Sequence, residues 1–205
     1  MGTSSEGVQA SLRLLLPRIG LAKQLSRYTR TMLFEQKKIY EGRVIRVSVD
    51  TVDLPNGVRL PLEIVRHPGG AAAVAIDTEN RVCLLRQYRY AAGGYIHELP
   101  AGKLEPDETP EITVRRELAE EAAVSASQWE SLGAYFSSPG VFTEVIHLYL
   151  ATGLAPATAA PDSDELFQVE WWPLDEAVAK ALSGELTDAK TIIGILRAAA
   201  RRKIA

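Results

Sequence analysis

The 205-residue sequence predicts a mixed α/β fold with a mixed sheet and a small N-terminal β unit. Runs of β-branched residues alternate with helix-like segments instead of segregating from them, which is the pattern of a layered α/β domain. Hydrophobic residues make up 46% of the chain and charged residues 24%, enough apolar material for a real core. The length falls short of the roughly 250 residues at which single cores split. One main domain with an appendage is therefore expected.

Taken in order, Met1 to Thr31 carries Leu12, Leu15, Leu16, Ile19 and Leu25 at spacings on which a basic amphipathic helix can be drawn. A targeting segment, a helix packed on the body or a membrane surface, and poorly ordered sequence are the three readings, with a peripheral helix or tail without chemistry as the default. Residues 32–67 form the expected N-terminal β unit. Val44 to Val52 is rich in branched residues, and Leu54-Pro55-Asn56-Gly57 supplies an Asn-Gly turn into Val58 to Val65. His67-Pro68-Gly69-Gly70 breaks that pattern and reads as the turn into the main domain, residues 68–205.

Ala71 to Ile76 and Arg81 to Tyr88, joined by the polar turn Asp77 to Asn80, read as two core strands. Thr109 to Ala123 reads as a helix with Pro110 in its first turn. Strands are expected again over Trp129 to Ser137, Val145 to Ala151 and Gln168 to Pro173, then helices near Leu174 to Leu182 and Asp188 to Arg201. Trp171 and Trp172 are expected in the core or at a dimer surface.

Charge and cysteine content narrow the function. Net charge is -3, from 23 basic and 26 acidic residues. The first 31 residues hold five basic residues against Glu6 alone, so the rest carries 18 basic and 25 acidic residues. A body that acidic argues against a phosphate-backbone-binding surface, and nucleic acid is not an expected partner. Cys83 is the single cysteine, which excludes an intrachain disulfide and fits a cytoplasmic setting. No apolar run approaches the roughly 18 to 20 residues of a membrane span.

The informative stretch is Gly102 to Val124, where a glycine-led loop runs into a helix bearing Arg116-Glu117-Leu118-Ala119-Glu120-Glu121. On a helix, Glu117 and Glu121 lie about 40° apart, and Glu120 lies about 60° to the other side of Glu117. As a charge run alone, this is a solvated face in which Arg116 offsets Glu120 and Glu111 pairs with Arg115. A cluster of hard oxygen donors instead suits Mg²⁺ or Mn²⁺, which bridge to substrate phosphates. The spacing of the residues decides between the two.

Gly102, Glu108, Arg116, Glu117, Leu118, Glu120, Glu121 and Val124 resemble the Nudix hydrolase box, G-x5-E-x7-R-E-U-x-E-E-x-G-U with U aliphatic. Six of the seven fixed residues match, which arises by chance on the order of 10⁻⁸ per register at background residue frequencies. The departure is Ala123 at the second glycine. That position ends the helix and favours left-handed backbone, where Ala costs about 1 kcal/mol.

The resemblance implies a Nudix-fold α/β/α sandwich in which Glu117, Glu120 and Glu121 are metal ligands, with the Ala101 carbonyl reaching a metal as well. It makes Glu108 and Arg116 a pair that holds loop to helix. Gln87-Tyr88-Arg89 and Glu98-Leu99-Pro100-Ala101-Gly102 are similar to segments of ADP-ribose pyrophosphatases, and Pro139 lies 15 residues beyond Val124 as in that branch. The branch implies Glu144 as the catalytic acid–base residue, alongside Glu117 and Glu121. It further implies substrate contacts at Arg89, Glu98 and Gly102, with Glu98 binding ribose hydroxyls or ordering the site. Arg66 and Tyr40 are candidates for base contacts in a homodimer that shares its N-terminal hairpin, surface or core packing being the alternative for both.

The expected activity is Mg²⁺-dependent hydrolysis of ADP-ribose to AMP and ribose 5-phosphate, with Mn²⁺ as the alternative metal. The rivals are hydrolysis of another nucleoside-diphosphate sugar and a catalytically silent ADP-ribose-binding regulator. His67, His97 and His147 share no zinc-binding spacing and are expected to be structural.

Overall fold

A computed structural model describes residues 32–158 and 166–204, with the side chains of the last two left aside. The basic segment 1–31 lies outside the described residues. The chain divides into two compact units between Val65 and Arg66.

In the first unit, β1 (Met32–Glu41), β2 (Arg46–Asp53) and β3 (Arg59–Arg66, whose last residue opens the second unit) form a three-stranded sheet in that order. The Asn-Gly turn closes the β2–β3 hairpin. The Leu54 N–H donates to the Val58 carbonyl at 2.9 Å, and Asn56 Oδ1 accepts the Val58 N–H at 3.1 Å. Strand β1 was not separately legible in the sequence, because it is charged and exposed along most of its length and lacks a clean two-residue alternation.

The second unit holds β4 (Gly70–Ala75), β5 (Arg81–Arg89), β6 (Gly94–Glu98), β7 (Ala101–Lys103), α1 (Pro110–Ala122), β8 (Val124–Phe136), β9 (Val145–Pro156), β10 (Phe167–Pro173), α2 (Leu174–Ser183) and α3 (Ala189–Ile204). Two sheets result, one mixed in the order β7-β4-β9-β8 and one in the order β10-β5-β6. The expected strands β4 and β5 do not pair as a hairpin. They enter different sheets, touching through a single Ile76–Val82 bridge.

Strand β4 is buried along its whole length, and its alternating side chains feed two cores. Ala72, Val74 and Ile76 pack with Leu99, Leu148 and Ile195, and with Ala177 of α2. Ala71, Ala73 and Ala75 pack with Val114 and Leu118 of α1. Helices thus cover both faces of the mixed sheet, giving the α/β/α sandwich. Small residues on the α1 side of β4 let the helix sit close to the sheet, which brings its acidic turn down to the end of β7. Trp171 joins the α1 core and Trp172 the opposite one.

Candidate active site

Helix α1 begins where Thr109 caps it, its hydroxyl accepting the Ile112 N–H at 3.3 Å. It ends at Ala123, which adopts φ 54° and ψ 32° while its N–H donates to the Ala119 carbonyl at 3.1 Å. The left-handed backbone expected at the missing glycine is present, and alanine carries it.

Between these ends, Arg116 organises the carboxylates. It donates to both oxygens of Glu108 at 3.1 Å and, through Nη1, to Glu117 Oε1 at 2.8 Å and Glu120 Oε2 at 2.9 Å. The bonds to Glu108 are the largest of the effects that hold Arg116 firmly protonated. Thr113 also donates to Glu108, at 2.8 Å, so the loop and the first helical turn are locked together. On the outer face Arg115 pairs with Glu111 at 2.7 Å.

The acids meet the sheet at β7. Glu121 is 4% exposed, and its Oε2 accepts the Ala101 N–H at 2.7 Å. Glu117 lies over Gly102, where any Cβ would overlap its carboxylate. Gly102 thus leaves open the space that the Glu117 carboxylate occupies, which a side chain there would take only by displacing it.

These donors suit a hard divalent cation in kind: three carboxylates on one helical turn beside a strand whose carbonyls are near. Among the described residues no three of His, Cys, Asp and Glu are gathered as a ready metal cage. A guanidinium nitrogen bridges Glu117 and Glu120 instead, showing that this pair of carboxylates can share one positive charge.

Glu144 precedes β9 at the same end of the sheet. Gly70 of β4 is in register with Lys103 of β7 on one side and Ile146 of β9 on the other. The ends of β7 and β9 are therefore separated by two strand spacings, about 10 Å. A Cβ on Gly69 would meet the Val145 carbonyl at 2.8 Å, and one on Gly70 the Gly102 carbonyl at 2.8 Å. The two glycines let both neighbouring strands close on the start of β4.

Arg89 and Glu98 lie on the paired strands β5 and β6 and form a bidentate pair, at 2.7 Å from Nε and 3.0 Å from Nη2. Gln87 Oε1 accepts from Nη2 as well, at 2.9 Å. Glu98 is 2% exposed, and its Oε2 also accepts from Lys190. Burial pushes the Glu98 carboxyl up, but Arg89 and Lys190 outweigh it and hold it below the usual range. Both Glu98 oxygens are thus engaged by cationic side chains of the same unit. Arg89, with its side chain 42% exposed, presents the guanidinium.

Lys190 was not legible in the sequence, being 92 residues from Glu98. Its neighbour Asp188 carried a signal that was missed: it caps α3, accepting the Thr191 N–H at 2.9 Å, while the Thr191 hydroxyl accepts the Leu99 N–H at 2.8 Å. Tyr40 lies on β1 in the first unit and is 56% exposed, and Arg66 is half-buried at the end of β3. The expected base contacts of both remain proposals.

The NUDIX domain profile matches residues 66–193. A methanol dehydrogenase activator from Bacillus methanolicus is 42% identical over 170 residues, covering 80% of this chain and 92% of the relative. An ADP-ribose pyrophosphatase from Bacillus subtilis is 38% identical over 162 residues, covering 78% and 88%. A crystal structure of an ADP compounds hydrolase superposes with a TM-score of 0.74 at 20% identity, over 86% of this chain and 96% of that one. The chain belongs to the Nudix family. The solved structure establishes the fold.

Proposed function

We propose that the protein hydrolyses the diphosphate of ADP-ribose to AMP and ribose 5-phosphate, with Mg²⁺ as the working metal and Mn²⁺ as a substitute. The observation that carries this reading is the closure of α1 on β7, which sets Glu117, Glu120, Glu121 and Ala101 together at the sheet end beside the Glu144 loop. Likeness to an ADP-ribose pyrophosphatase at 38% identity supports the substrate.

Glu117, Glu120, Glu121 and the Ala101 carbonyl would hold the metal. When bound, divalent cations neutralise diphosphate oxygens and lower the pKa of water. Arg116 yields its bonds to Glu117 and Glu120 but keeps Glu108, so the helix stays fixed to its loop. Glu144 takes a proton from the attacking water. Arg89, aimed by Glu98, binds a phosphate or the terminal ribose. Gly102 admits Glu117 to its place.

A second copy of the chain completes the base pocket with Tyr40 and Arg66. Support comes from the exposed apolar side chains Met32, Phe34 and Ile39 on β1 of the first unit. The described helices include none long and apolar enough to cross a membrane, and a cytoplasmic setting fits the single cysteine, Cys83, which is buried.

The test is a product assay with Mg²⁺ against ADP-ribose, other nucleoside-diphosphate sugars, NADH and diadenosine polyphosphates. Preferred cleavage of ADP-ribose to AMP supports the reading. Efficient turnover of another member with none of ADP-ribose overturns the substrate, and tight ADP-ribose binding in calorimetry without any turnover overturns catalysis.

A further inference from the structure

The loop that carries Glu144 is fastened to the entry of β4 through His67, and three consecutive loop residues touch it. The Phe142 ring centroid lies 5.3 Å from that of the imidazole. The Thr143 hydroxyl accepts the His67 N–H at 3.1 Å. Glu144 Oε1 stands 3.2 Å from His67 Nδ1.

The imidazole is itself held in place. Nδ1 accepts the Gly69 N–H at 3.1 Å, and the side chain is 9% exposed. Gly69 has φ +90° and almost no room beside the Val145 carbonyl. The turn that aims the imidazole therefore depends on glycine.

We propose that His67 is a positioning residue for Glu144: its contacts with Phe142 and Thr143 fix the loop so that one carboxylate oxygen is set beside the imidazole and the other is presented to the water that attacks the diphosphate. This rests on the reading of Glu144 as general base. His67 is part of no recognised box position, and the sequence alone assigned it a structural role.

While Nδ1 accepts from Gly69, the imidazole proton sits on Nε2, so the carboxylate is held beside the ring by the loop contacts and not by a hydrogen bond from Nδ1. In the step, a water O–H bond breaks and its proton passes to Glu144. The water oxygen bonds to phosphorus, and the bond from phosphorus to the bridging oxygen breaks, its electron pair leaving with the departing phosphate.

Other titratable groups act on this pair. Burial makes His67 harder to protonate, Glu144 opposes that effect, and Lys103 at the end of β7 adds to it. Beyond Glu144 lies Tyr135 of β8, whose phenol is kept un-ionised first by burial and then by Asp188 and Glu144, against Arg197.

The experiment compares His67→Asn, Glu144→Gln and the double variant, measuring kcat and KM for ADP-ribose with Mg²⁺ across pH. Asn keeps an acceptor for the Gly69 N–H but does not titrate. The expected result is a kcat at least tenfold lower in His67→Asn at unchanged KM. His67→Asn adds no further loss to Glu144→Gln. An unchanged kcat, or losses that multiply, overturns the proposal.

A readout independent of turnover is the proton NMR titration of the His67 ring. Its midpoint is expected to fall when Glu144→Gln removes the facing charge, and an unchanged midpoint contradicts the pairing. A fully active Glu144→Gln would overturn the general-base reading itself, an outcome distinct from failure of His67→Asn alone.

Discussion

At single positions the account turns on backbone space. Ala123 holds a left-handed conformation that glycine adopts freely, so Ala123→Gly should raise stability by about 0.5–1 kcal/mol, read as a higher midpoint in urea. Unchanged or lower stability would show that the helix end is relaxed with alanine in place. Gly102→Ala should act in the opposite sense. The added Cβ displaces the Glu117 carboxylate, and the expectation is a fold that persists by circular dichroism while kcat drops about 100-fold. Both positions were legible in the sequence, since the box fixes where glycine belongs. His67 was not, because its importance comes from meeting Phe142, Thr143 and Glu144, 75 to 77 positions away.

Among the elements, α1 was the most legible. Its Glu108–Arg116 pair, its Thr109 cap and its Arg115–Glu111 pair all follow from spacing within a single helix and its leading loop. Strands β6 and β7 were not legible, for they are five and three residues long and rich in Gly and Pro surroundings. Their pairing is imposed by the sheets they join. The β6–α3 connection through Glu98 and Lys190 likewise exists only in the folded chain. It makes a pH prediction. Glu98 has a lower pKa folded than unfolded, so its contribution is complete above the ordinary carboxylate value, about 4.3, and is lost as pH falls through the folded value. Glu98→Gln should therefore cost about 2 kcal/mol near neutral pH, and the gap between its Tm and that of the wild type should close below about pH 4. A gap independent of pH would mean that shape, and not charge, holds this corner.

For the whole molecule, the layered architecture could be read from the alternation of strands and helices, while the partition of strands between two sheets could not. Sequence places β4 and β5 as neighbours across a four-residue turn, and only the burial of every β4 side chain explains why they part. A strand covered on both faces belongs at the centre of a sandwich. The apolar side chains that β1 exposes among its charged ones make the oligomer a prediction of its own. Light scattering after size-exclusion chromatography should give twice the 22.4 kDa chain mass, and a fully active monomer would contradict the shared pocket.

The central claim is that the acidic turn of α1 serves diphosphate hydrolysis through a bound cation. Glu121→Gln tests it most directly, because glutamine can still accept the Ala101 N–H that Glu121 Oε2 accepts and so spares the fold while removing the charge. With ADP-ribose as substrate and Mg²⁺ titrated, the account predicts that kcat falls at least 100-fold and that any residual activity needs more metal. Wild-type turnover at the same Mg²⁺ concentration would contradict it.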